Sequence, residues 1–174
     1  MTLQTLESGL PQQARVVRVM PNTPALVGKG AAAYAIGARA TAADAEWTQR
    51  LLSGVGIAVS VGEGLLDVVT GLSGSGPAYV FLVIEALADG AVKNGLPRAE
   101  ALQLAAQTVF GAAALMLESG QHPALLKEMV TSPGGTTIAG LAVLEREAVR
   151  GALIDAVSAA TERSRALSSL SSPA

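Results

Sequence analysis

Two consecutive segments, Pro77–Asn94 and Pro97–Glu118, read as helices that are apolar on nearly every side. Each opens on a proline, which suits the first turn of a helix because the N–H it lacks would have no intrahelical partner there. Gly95 and Gly120 stand just past the two ends, where a left-handed residue commonly closes a helix. Glu85 and Asp89 lie four residues apart and share one face of the first helix; Gln103 and Gln107 do the same on the second. Helices this apolar cannot form the outside of a small monomer. They must occupy the middle of a bundle or bury a face against a second copy of the chain. Hydrophobic residues make up 50% of the chain and aromatic ones only 3%, so the core has to be aliphatic and rich in alanine. Small side chains of that kind let helices approach closely.

The segments before residue 62 have a different character. Thr2–Gly9 reads as a short helix stopped by Gly9 and Pro11, and Arg15–Met20 as a strand carrying Val16, Val17 and Val19. Pro21-Asn22-Thr23-Pro24 reads as a turn that its two prolines keep out of regular structure. Strands are expected at Gly30–Ile36 and Ile57–Val61, with a helix between them that starts at Thr41, where Asp44 completes a capping pair, and runs to Ser53. Three such strands make a poor sheet alone, because their edges lack partners. Beyond Leu65 strand signals vanish: after the two apolar helices come Pro123–Val130, Thr137–Leu144 and a long helix over Glu147–Ser168. The expected fold is therefore mainly α, a helical bundle preceded by a small α/β portion. Residues 1–62 form one part, 63–168 the other, and 169–174 a frayed Ser-rich tail.

Charge and composition exclude several functions. The net charge is −2 with basic residues scattered, which leaves no footprint for nucleic acid. With no cysteine there are no disulfides, thiolate nucleophiles or Cys-ligated metals, and one histidine with no acidic cluster argues against any dedicated metal site. The longest uncharged runs, Val68–Ile84 and Ala101–Leu117, are shorter than the roughly 20 apolar residues of a membrane-spanning helix, so interface helices explain them better. No basic segment followed by an apolar stretch opens the chain, so a cytoplasmic address is expected by default, an organelle peptide upstream of Met1 aside.

Thr131-Ser132-Pro133-Gly134-Gly135-Thr136-Thr137 is the stretch with most chemical potential. Two adjacent glycines let backbone N–H groups converge on a small anion, and the helix that follows adds the positive end of its dipole. The Thr136 and Thr137 hydroxyls stand where a helix wants a capping oxygen, and either could face a ligand instead. His122, before Pro123, suits a pre-helix cap better than a proton-transfer role. Ser73-Gly74-Ser75-Gly76 reads equally as a tight turn capping the next helix through Ser75 and as the lining of a pocket.

These residues resemble the signature of the pyrroline-5-carboxylate reductases. The likeness is carried by Leu126–Val130, Ser132–Glu145 and Val69–Tyr79 with Glu85-Ala86 and Asp89-Gly90, by Val19–Pro24 and by Gln121-His122-Pro123, so it extends from about Thr2 to Leu167. The resemblance implies reduction of 1-pyrroline-5-carboxylate to proline, the last step of proline biosynthesis, with hydride passing from NADPH or NADH to C5 of the cyclic imine. It also implies a helical domain that pairs two subunits as a homodimer or higher homo-oligomer. By the same likeness, Ser132 and the backbone around Gly134, Gly135 and Thr136 would hold the substrate carboxylate. Thr137 would place its hydroxyl at the ring nitrogen, orienting or relaying a proton, and Asn22 and Thr23 would lie at the nicotinamide, though plain turn chemistry accounts for them as well. A full member of the family opens with a strand and a Gly-x-Gly-x-x-Gly turn for the cofactor pyrophosphate. No such turn follows a strand here, so the α/β portion is expected to be the tail of a Rossmann-type domain. A non-catalytic, self-associating scaffold derived from the family is the alternative. The β-hydroxyacid dehydrogenases fit less well, because Lys93 and Lys127 both lie near helix ends.

Overall fold

A computed structural model describes residues 1–170. The chain packs as two compact units: Met1–Pro77 together with the chain from Ile154 onward, and Ala78–Leu153. It is mainly helical, with one three-stranded sheet in the first unit.

The first unit opens with helix α1 (Leu3–Ser8), whose N-cap Thr2 accepts a hydrogen bond from the Thr5 amide. Strands β1 (Val17–Met20) and β2 (Gly30–Ile36) pair antiparallel, with Val19 opposite Tyr34. Helix α2 (Ala42–Ser53) then crosses over to β3 (Gly56–Ser60), which lies parallel to β2 with Ala33 opposite Val59. A parallel pair joined by a helix is one βαβ unit, the repeat from which Rossmann-type sheets are built. The expected capping pair is present: the Thr41 hydroxyl accepts from the Asp44 amide while the Asp44 carboxylate accepts from the Thr41 amide. The sheet does form, and one edge is closed by a side chain, since Gln49 on α2 donates to the Ala58 carbonyl of β3 at 3.0 Å. Leu3, Val16, Ala33, Ala35 and Leu66 make the core on one face, supported by Leu6, Met20 and Val69. Glu63 gathers the elements around that core by accepting from the Leu3 amide and pairing with Arg18 at 3.0 Å.

Two sequence expectations change here. Pro21–Pro24 is not irregular throughout: Thr23–Val27 forms a 3-10 turn with Pro24 in its first turn, because a fixed proline φ is compatible with a helical start. Residues 73–76 do not form a tight turn. Helix α3 (Leu66–Val69) runs on through a π-helical segment, Thr70–Gly74, in which the Ser75 amide donates to the Thr70 carbonyl at 2.8 Å. A π segment widens the helix by one residue per turn. The last helix, α8 (Val149–Leu170), packs against it: a Cβ on Gly71 would lie 2.4 Å from the Thr161 hydroxyl and 2.6 Å from the Val157 carbonyl. Asp67 accepts from the Ser164 hydroxyl at 2.6 Å in the same contact. Of the tail expected from residue 169, Ser169 and Leu170 continue α8, and 171–174 lie outside the described residues.

The second unit is all helical: α4 (Gly76–Lys93, with its first two residues in the other unit), α5 (Arg98–Ser119), α6 (Pro123–Met129), α7 (Thr136–Arg146) and the start of α8. Ala148, in the left-handed region at φ 55°, separates α7 from α8, and an Arg150–Glu145 ion pair spans that corner. The hydrogen bond from Arg150 is the main reason the Glu145 carboxyl titrates below its ordinary value. The core of this unit is small. Ala88, Ala101 and Ala105 are buried, with Ile84, Ala91, Val92 and Leu96 packed around them. Meanwhile Phe81, Leu82, Leu104, Phe110 and Leu117 are 54–72% exposed. The helical stretches Glu63–Lys93 and Arg98–Ser119 are, by length and composition, apolar enough to cross a membrane, although their longest uncharged runs fall short. The helices simply extend past those runs. Only 6% and 11% of their most apolar windows are buried among the described residues, so both helices leave most of that apolar surface exposed.

Candidate functional site

The site grows out of the C-terminal end of α6. His122 is the N-cap of that helix, its Nδ1 accepting from the Ala124 amide at 3.3 Å, as its place before Pro123 predicts. At the other end the Thr131 hydroxyl donates to the Lys127 carbonyl at 2.6 Å, and the Thr131 amide to the Glu128 carbonyl at 2.9 Å. Thr131 is thereby committed to finishing the helix. The chain then reverses over four residues, with the Gly135 amide donating to the Ser132 carbonyl at 3.1 Å. Pro133 supplies the fixed φ of the first central position, and Gly134, at φ 67°, supplies the positive φ of the second. Proline followed by glycine at these two positions is the signature of a type II turn.

Gly135 is needed for room. A Cβ there would stand 2.3 Å from the Ser132 Oγ, so the absent side chain leaves the serine hydroxyl folded over the start of the next helix. That start is bare. Gly135 is the N-cap of α7, and no side chain caps it. The N–H groups of Thr136, Thr137 and Ile138 therefore have no acceptor within the helix, and they carry the positive end of its dipole. Thr137 was a candidate cap in the sequence. The structure removes that role, because Thr137 lies inside the first turn and the glycine before the helix takes the cap position. Ser132, Gly134 and Thr136 are exposed; Gly135 and Thr137 are half-buried. The turn thus brings one hydroxyl, a run of unpaired amides and a second hydroxyl to the mouth of a helix eleven residues long. Such an arrangement can hold a carboxylate and present an O–H group beside it.

Asn22 and Thr23 belong to the other unit. Asn22 precedes the 3-10 turn but makes no capping bond. Its carboxamide is used at both ends: Oδ1 accepts from the Ala31 amide at 2.9 Å, and Nδ2 donates to the Ser73 carbonyl at 3.0 Å. Thr23 is exposed beside it. The Ser73 and Thr70 hydroxyls donate back to the Val69 and Leu66 carbonyls, at 3.2 and 2.8 Å, so the π segment turns its hydroxyls inward. The tie between Asn22 and Ser73 was missed in the sequence. The signal for it was Pro77, which cannot supply the N–H that the carbonyl four residues earlier would receive in a helix.

Among known proteins, the family model described as pyrroline-5-carboxylate reductase dimerisation matches residues 63–167. A pyrroline-5-carboxylate reductase of Methanosarcina acetivorans is 54% identical over 95% of this chain and 61% of its own length. One from Arabidopsis thaliana is 55% identical over 90% of this chain and 56% of its own. Of solved structures, the pyrroline-5-carboxylate reductase from Coxiella burnetii superposes with a TM-score of 0.92 at 38% identity, over 95% of this chain and 62% of that one. The Plasmodium falciparum pyrroline carboxylate reductase with NADP bound gives 0.87 at 37% identity, over 95% and 67%. This chain spans about three-fifths of the length of the curated relatives it matches.

Proposed function

Because the chain belongs to the pyrroline-5-carboxylate reductase family, we propose that it supplies the substrate-binding and self-associating part of an enzyme reducing 1-pyrroline-5-carboxylate to proline. The observation that carries this reading is the Ser132–Thr137 turn. There a positive-φ glycine, a side-chain-free N-cap and the Ser132 hydroxyl converge on the bare start of α7. The substrate carboxylate sits against the amides of Gly134, Thr136 and Thr137 and the Ser132 Oγ. Fixing that end of a small ring sets the position of its imine carbon and nitrogen, and positioning is most of what such a reaction asks of a protein. The Thr137 hydroxyl lies next along the helix and faces the ring nitrogen. A threonine is too weak an acid to supply a proton outright, so it orients the nitrogen or relays a proton from water.

NADPH or NADH, when bound, supplies the hydride. The chain's own residues fit only one end of such a cofactor. Thr23 and the backbone of Met20–Pro24 suit the nicotinamide, but among the described residues no strand leads into a glycine-rich turn at a helix start, which is what a pyrophosphate requires. Residues 1–62 are accordingly the end of a cofactor domain, and 63–168 the dimerisation and substrate unit; the span of the matched family model supports that division. The exposed apolar helices support pairing with a second copy, as a homodimer or a higher homo-oligomer.

The test is a spectrophotometric assay of NAD(P)H oxidation with the purified chain, beside the same chain fused to a cofactor domain of the family. Turnover is expected only from the fusion. A loop of five residues cannot offset the several kcal/mol needed to order a dinucleotide. Steady turnover by the unfused chain overturns the assignment of roles within it, and an inactive fusion that still binds NADPH overturns the activity. The lack of a pyrophosphate cradle favours a second reading, in which the chain acts only as a self-associating scaffold. The fusion separates the two, because a scaffold joined to a cofactor domain binds NADPH, seen by fluorescence titration, without turning over the imine.

A further inference from the structure

The Asn22 carboxamide ties the Met20–Pro24 loop by hydrogen bonds to both the sheet and the π segment. Each of its two bonds answers a specific deficit. In a continuous helix the Ser73 carbonyl would accept from the amide four residues on, but that residue is Pro77, which has none. The π geometry of Thr70–Gly74 takes up the Thr70 carbonyl through the Ser75 amide and leaves the Ser73 carbonyl facing the loop. Asn22 Nδ2 donates to it at 3.0 Å. At the other end, Ala31 is the second residue of β2, and its amide is taken by Asn22 Oδ1 at 2.9 Å. The partners fix the orientation of the amide, because an N–H can meet only the oxygen and a carbonyl only the NH2.

We propose that Asn22 is a positioning residue. It clamps the Met20–Pro24 loop to the π segment and to β2, so that the loop facing the nicotinamide is held in one position. This rests on the reductase reading of the chain. The carboxamide itself touches neither cofactor nor substrate, and Thr23 and the loop backbone are left to make the cofactor contact. In an i→i+4 register Pro77 would leave the Ser73 carbonyl without a donor, and the asparagine supplies one.

The experiment follows from these two bonds. In the chain as it stands, hydrogen exchange is measured at the Ala31 amide for Asn22→Ala, Asn22→Asp and Asn22→Ala with Pro77→Ala. Asn22→Ala is expected to lower protection at Ala31 on the order of tenfold, the loss of one partly buried hydrogen bond. Asn22→Asp retains the acceptor for Ala31 and so retains its protection, while an oxygen now faces the Ser73 carbonyl and the π segment exchanges faster. Kinetics are then read in a complete reductase carrying this sequence. Asn22→Ala lowers kcat/KM for the imine with KM for NADPH unchanged, and adding Pro77→Ala does not recover the loss, because an N–H offered to the Ser73 carbonyl from within the helix leaves the loop untied. Recovery would mean that Asn22 serves that carbonyl alone and would overturn the clamp. A rise in KM for NADPH with kcat unchanged would show direct contact with the cofactor and overturn the proposal. So would unchanged protection at Ala31, or a lower melting temperature with unaltered kinetics. If Asn22→Ala does not fold, Asn22→Asp, which loses only the bond to the Ser73 carbonyl, carries the comparison. A complete protein that reduces no imine removes the reductase reading, whereas the exchange measurements still decide whether the clamp exists.

Discussion

At the scale of single residues, the turn before α7 depends on one missing side chain and one hydroxyl. Gly135→Ala places a Cβ where the Ser132 Oγ now stands, 2.3 Å away, so the serine must rotate out. In a complete reductase carrying this sequence, the expected result is a raised KM for 1-pyrroline-5-carboxylate with little change in KM for NADPH. Equal effects on both would show that the loop serves the cofactor. Thr137→Ala is a different case. Because Gly135 holds the cap position, losing the Thr137 hydroxyl should cost less than about 0.5 kcal/mol of stability. Turnover should fall roughly ten- to a hundredfold if the hydroxyl orients the reacting nitrogen. Thermal melts and steady-state kinetics on the same preparation decide it, and a lower melting point with normal turnover would make Thr137 purely structural. The serine, the two glycines and the two threonines were all legible as a group in the sequence. Which of them capped the helix was not, since a Gly-Thr-Thr run allows the helix to start at any of three places and only packing selects one.

Among the elements, α2 is the one whose stability the sequence most plainly encodes. Its capping pair holds the Asp44 carboxyl below its ordinary value, chiefly through the Thr41 amide, then through the Thr41 hydroxyl, with a smaller contribution from Arg15. The folded-state value therefore lies below the unfolded one. That contribution to stability is fully present above the unfolded value near pH 4 and is lost as the pH falls through the folded one. Urea denaturation should show Thr41→Ala costing about 1 kcal/mol at neutral pH, the usual worth of a cap. The difference from wild type should shrink below pH 4. A difference independent of pH would mean that the hydroxyl acts without the carboxylate. Helix and strand positions elsewhere followed from proline, glycine and periodicity, and Gly30–Ile36 matches its strand end to end. The π segment escaped because glycine and serine at 73–76 signal a turn locally. The helix persists there because α8 packs close against Gly71 and Asn22 serves the orphaned carbonyl.

For the whole molecule, what matters is how little of it is buried. The 22 residues of α5 bury only Ala101 and Ala105. Phe81 and Leu82 stand exposed at an open groove of about 540 Å³ between α4 and α5, and Leu104 and Leu117 are exposed elsewhere on α5. Clustered exposed apolar side chains of this kind mark an interaction surface. The expected outcome is an obligate pair burying roughly 2,000 Å² or more through α4, α5 and α8. Light scattering at micromolar concentration checks it, and a folded, monodisperse monomer would be the contrary result.

The sequence by itself determined the element types, the helical character after residue 65 and the turn at Ser132–Thr137. These rest on interactions a few residues long: a proline that lacks an N–H, a glycine that reaches positive φ, a Thr-Asp pair three apart. Tertiary structure decided what depends on partners far along the chain. It joined Asn22 to Ser73, 51 residues away, and Asp67 to Ser164, 97 residues away. It also drew the chain from Ile154 onward into the first unit although the family match runs unbroken from 63 to 167. Local rules cannot see these contacts, because a carbonyl left without a donor or a glycine without a side chain specifies a vacancy, and only the folded chain shows which distant residue fills it.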